Sequence, residues 1–96
     1  MKARLLFSEK MVFEDGTIIE VRIWSVPEPV TPATHGYKYS LFFGRPGERL
    51  VGFDNERGKG DHMHVLGHEK AYAFISIAQL LQDFRREVET LKDAGL

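Results

Sequence analysis

Hydrophobic positions along this chain follow a period of two over most of its length and switch to a helical period near the end. From Thr17 to Trp24, Ile19, Val21 and Ile23 alternate with Glu20, Arg22 and Trp24, with Ile18 the one misfit, as a half-buried antiparallel strand requires. Upstream, the apolar stretches Leu5–Phe7 and Met11–Phe13 lead into Glu14-Asp15-Gly16, whose turn chemistry joins two strands as a hairpin. Three prolines between Val26 and Pro32 remove ladder donors and make that segment a connecting loop. Tyr37, Tyr39, Leu41 and Phe43 then alternate with Lys38 and Ser40, Arg45-Pro46-Gly47-Glu48 reads as a type II turn, and Leu50 to Asp54 returns as a fourth strand. From Ser76 the period changes: Ile77, Leu80, Leu81, Phe84, Val88 and Leu91 recur at helical spacing, Ser76 with Gln79 forms a capping-box signature, and Lys92 and Gly95 suit the helix end.

The expected fold is therefore α+β: a four-stranded antiparallel sheet of two hairpins packed in two layers on one C-terminal helix. Residues 55 to 70, NERGKGDHMHVLGHEK, are polar and glycine-rich and read as a long functional loop. At 96 residues the chain is expected to be a single domain, 1–96, with one core, and its small size makes a homodimer compatible with its stability needs.

Composition narrows the function. Thirteen basic and fourteen acidic residues give a net charge of -1, so no overall basic field draws in nucleic acid, and contact with it requires a local patch. The absence of cysteine excludes disulfides, thiolate metal sites and cysteine nucleophiles, and fits a reducing cytoplasm. The start MKARLLFSEK lacks a signal-like apolar region, and no apolar run approaches a membrane span, so a cytoplasmic protein without a membrane partner is expected.

The densest reactive cluster runs from Asp54 to His64 and holds His62 and His64, with His68 close behind. If residues 62 to 64 are extended, the two imidazoles point to one face. They could then divide acid and base duties, as cleavage of RNA by its own 2′-hydroxyl needs, with Lys59 or Arg57 on phosphate and Asp61 or Asp54 orienting a ring. Gly58 and Gly60 would allow close approach of the backbone to phosphate. The expected catalytic set is His62, His64, Lys59 and Asp61. Arg57, Lys38, His35, Asp54 and Asn55 are expected to hold substrate around it, His35 reaching in from a neighbouring loop. A divalent metal held by the pair with Asp61, Asp54 or His68 ranks lower, because the spacing matches no zinc signature and Lys and Arg oppose a cation. No metal and no cofactor are therefore expected. A solvated, charged loop is the bland alternative.

The segments His35-Gly36-Tyr37-Lys38-Tyr39 and Gly44 to His64, continued through Tyr72 and Phe74 into the helix, resemble the TumE-type toxins of bacterial toxin-antitoxin modules. The resemblance covers nearly the whole chain and departs mildly at Phe53 and Ala71, where tyrosine and proline would be expected. It implies a small toxin encoded beside a helix-turn-helix antitoxin, which it binds, with growth inhibited when the toxin is free. It places the family's polar signature at Asp54, Asn55, Lys59, Asp61, His62 and His64, with His35 and Lys38 upstream. Two readings follow: a metal-independent endoribonuclease acting through the histidine cluster, with RNA as partner, or a non-catalytic interaction module that works by binding its antitoxin.

Overall fold

The computed structural model describes residues 2–96. Six strands, β1 (Arg4–Val12), β2 (Ile18–Ser25), β3 (Tyr37–Arg45), β4 (Glu48–Glu56), β5 (Gly60–Val65) and β6 (His68–Ala71), precede one helix, α1 (Ile77–Asp93). They form a single antiparallel sheet in sequence order, β1 and β6 being its edges.

The sheet thus has six strands where the sequence led us to expect four. The two extra strands occupy most of the segment expected to be a loop. Their hydrophobic signal is weak for a physical reason. On β5 only Met63 and Val65 join the core, while the opposite face is built from His62 and His64. β6 is an edge strand exposed along its whole length. The turn joining them is also disguised: Leu66 and Gly67 both take positive φ, +50° and +83°, as a two-residue type I′ hairpin demands, but leucine is a rare choice for the first position.

One face of the sheet is apolar. Ile19, Val21 and Ile23 stand opposite Phe43, Leu41 and Tyr39, and the row continues through Val51 and Phe53 to Val65 and Met63. The helix lays Leu80, Phe84, Val88 and Leu91 on this face, chiefly across β4. Fully burying such a side chain is worth roughly 1.5–3 kcal/mol, so the helix owes its place to this stripe. Ser76 Oγ accepts from the Gln79 N–H at 3.1 Å, but the Gln79 amide turns to Asp83 at 2.8 Å, so only half of the expected capping box forms. At the other end Gly95 takes φ +85° and Leu96 N–H closes on the Leu91 carbonyl at 2.9 Å, as a Schellman ending does.

The opposite face carries Arg22, Ser40, Asp54, His62 and His64 and, among the described residues, receives no helix. The proline-rich loop crosses one end of it: a Cβ on Gly60 would meet Pro32 Cγ at 3.1 Å, and the Gly58 N–H donates to the Thr31 carbonyl at 2.7 Å. Gly58 and Gly60 therefore shape a turn tied to that loop, and Gly60 is covered rather than open to a phosphate. Among the described residues no helix is long and apolar enough to cross a membrane.

Candidate functional site

Antiparallel pairing sets Asp54 of β4 directly opposite His62 of β5, and the period of two places His64 on the same face, one step along. His62 is 3% exposed, an unusual burial for a histidine on the face without a helix. Its Nδ1 lies 3.0 Å from the Gly60 carbonyl, which can only accept, so Nδ1 carries a hydrogen. Its Nε2 meets Asp54 Oδ1. Neither of these two buried atoms has another hydrogen-bond partner among the described residues. The His62 and His64 rings pack edge to face with centroids 5.1 Å apart, and ligating atoms of Asp54, His62 and His64 all lie within 4.8 Å of one another.

Around this centre, His64 Nε2 lies 3.1 Å from Glu69 Oε2, and Lys59 Nζ donates to the same oxygen at 3.0 Å. Burial, aided by the Arg49 charge, pushes the His64 imidazole below its ordinary value. The hydrogen bond from Lys59 holds Glu69 below the usual carboxylate range and raises Lys59 in return. Arg49 lies over Gly52, where a Cβ would meet its Cδ at 2.7 Å, and Gly52 is paired with His64. Glu56 Oε1 stands 3.9 Å from His62 Nε2. Glu69, Arg49 and Glu56 were not among the residues expected from sequence. A hairpin turn read at Leu66-Gly67 would have found Glu69, because that register sets it opposite His64.

The expected site residues divide between the two faces of the sheet. His62, His64, Lys59 and Asp54 gather on the open face. Asp61, one residue from His62, points to the helix side, where its Oδ1 accepts from Tyr39 OH at 2.6 Å and from His35 Nε2 at 2.8 Å. His35 Nδ1 accepts from the Tyr37 N–H at 3.2 Å, and the ring stacks on Phe74 with centroids 3.9 Å apart. His35 and Asp61 are thus separated from His62 by the sheet itself. Burial first, then Asp61, pushes the Tyr39 phenol far above its ordinary value, so Tyr39 is a fixed donor.

Asn55 is fully buried and works as structure. Backbone pairing between β3 and β4 stops at Ser40 and Asp54, and the Asn55 amide continues it, accepting from Tyr39 N–H at 3.0 Å and donating to the Tyr37 carbonyl at 2.7 Å. Lys38 is drawn to the Asn55 carbonyl. Arg57 lies beside the loop at Pro27 and Glu28. His68 is on the exposed edge strand β6, outside the three-residue cluster.

The family model described as "Toxin TumE" matches residues 2–92. The chain belongs to the TumE toxin family. The match to TumE spans every strand and nearly all of the helix, so both the open-face cluster and the Asp61–His35 pair lie within the family's domain. Neither a search of curated proteins nor one of solved structures returned a match.

Proposed function

We propose that the free chain arrests growth by cutting RNA at the open face of its sheet, and that a helix-turn-helix antitoxin silences it by binding. The observation carrying the reading is the buried Asp54–His62 contact packed against the His64 ring, on a face that no helix covers among the described residues. Cleavage by an internal hydroxyl needs a proton acceptor close to the 2′-oxygen and positive charge at phosphate. His62, with one nitrogen on Gly60 and the other on Asp54, has no free atom for substrate and acts as a positioning residue. His64 stands nearer solvent, its side chain 13% exposed, and Arg49 supplies the charge, with Lys59 held on Glu69 at the rim. Asp61 and His35, on the other face, support the fold beneath the site.

Binding without catalysis has its own support. The edge strand β1 is exposed along its whole length, with Leu5, Leu6, Phe7, Met11 and Val12 all open, and such edges invite a further chain. Induced expression of the wild type and of His62→Ala/His64→Ala, in a bacterial host lacking the antitoxin, separates the readings. Arrest with new RNA fragments in the wild type alone is expected. Arrest by both variants with intact RNA contradicts cleavage and leaves inhibition by binding.

A further inference from the structure

The contact between Asp54 and His62 poses a question that the fold does not answer. Because Nδ1 of His62 donates to Gly60, the Nε2 of a neutral ring presents a lone pair, and it faces a carboxylate oxygen that also bears only lone pairs. Two electron-rich atoms buried together repel unless something positive lies between them. A proton satisfies two acceptors. Here three converge, since His64 brings a third ligating atom within 4.8 Å of the other two.

We propose that Asp54, His62 and His64 form a binding site for a divalent transition-metal ion. Donor atoms at about 2.0–2.2 Å from such an ion sit roughly 3 to 4 Å from one another, so Asp54 and His62 part slightly and the remaining ligand atom, within 4.8 Å of both, moves in by about 1 Å to seat it. Two imidazole nitrogens and one carboxylate oxygen are a borderline set that favours zinc, iron, manganese or cobalt over magnesium or calcium. The carbonyl of Gly60 on the far nitrogen of His62 is the kind of outer contact that fixes the tautomer and aim of a metal-bound histidine. The ligands come from neighbouring strands in fixed register, and Asp54, its side chain 21% exposed, leaves a coordination position toward solvent.

The basic neighbours in the same run are already paired or lie at another loop. Lys59 is engaged by Glu69, and Arg57 lies by the proline loop. Glu56 and Glu69 bring two further carboxylates to the rim, against Lys59 and Arg49. An ion here would engage His64 and take its place in the chemistry by lowering the pKa of a coordinated hydroxyl. That use alone rests on the RNA-cleaving function proposed above; the binding itself does not.

The test uses the full chain stripped with chelator and titrated with Zn2+, Co2+ and Mg2+ by calorimetry and visible absorption. The wild type should bind one equivalent of Zn2+, give a Co2+ ligand-field spectrum, raise its thermal midpoint with Zn2+ and ignore Mg2+. Asp54→Asn and His64→Ala should each weaken Zn2+ by at least ~10-fold, while His68→Ala, outside the cluster, should bind as the wild type does. Equal Zn2+ affinity in wild type and His64→Ala, or no Co2+ spectrum in the wild type, overturns the site and leaves a proton between Asp54 and His62. RNA cut by the stripped protein in chelator would end the metal's role and keep the nuclease. Metal bound with RNA intact would keep the site and end the nuclease.

Discussion

Asn55 and Asp54 are neighbours with opposite employment. The Asn55 amide replaces a missing rung between β3 and β4, so Asn55→Ala strands the buried Tyr39 N–H and the half-buried Tyr37 carbonyl. Leaving two such groups unpaired should cost about 2–4 kcal/mol, read as a lower midpoint in urea at an unchanged slope. A loss under about 0.5 kcal/mol would show that water replaces the amide. Sequence alone pointed to Asn55 as a substrate contact, because a polar residue in a polar run carries no mark of burial. The same limit explains Asp61 and His35. The alternation that puts His62 and His64 together also sends Asp61 to the other face, and His35 follows it there only through the path of the loop before β3. The adjacency of the two histidine rings, by contrast, is legible from the period of two that an extended run 62 to 64 imposes.

At the level of elements, strands rich in apolar residues announced themselves and strands poor in them did not. β2, β3 and β4 fill the centre of the sheet and read clearly from Ile19, Tyr39 or Phe53. α1 was equally plain, since its buried stripe of Leu80, Phe84, Val88 and Leu91 keeps strict helical spacing. β5 and β6 escaped because one face of β5 is given to histidine and β6 buries nothing. Their turn bears a removable strain. Leu66, half exposed at φ +50°, sits where asparagine is better tolerated, so Leu66→Asn should raise stability by roughly 0.5–1 kcal/mol in thermal or urea unfolding. Destabilisation of that size instead would mean that the Leu66 side chain makes contacts that outweigh the strain.

The whole molecule is one sheet with two different duties. Its apolar face is closed by α1, Tyr72 and Phe74, and the Asp61–Tyr39–His35 contacts tie that layer together. Its other face has no helix, and there β4, β5 and β6 bring Asp54, His62, His64 and Glu69 into one cluster flanked by Lys59. A near-neutral chain of 96 residues therefore offers a local, mixed-charge site rather than a broad basic surface. RNA cleavage at such a site should depend on the cluster more than on ionic strength, because few phosphates are neutralised. The most direct measurement incubates the purified chain with a defined RNA and compares it with His64→Ala and His35→Ala, each first matched to wild type by circular dichroism. The account predicts that His64→Ala loses cleavage by at least ~100-fold while His35→Ala, on the opposite face, keeps it within about threefold once folded. Equal cleavage by wild type and His64→Ala, or loss confined to His35→Ala, would contradict it.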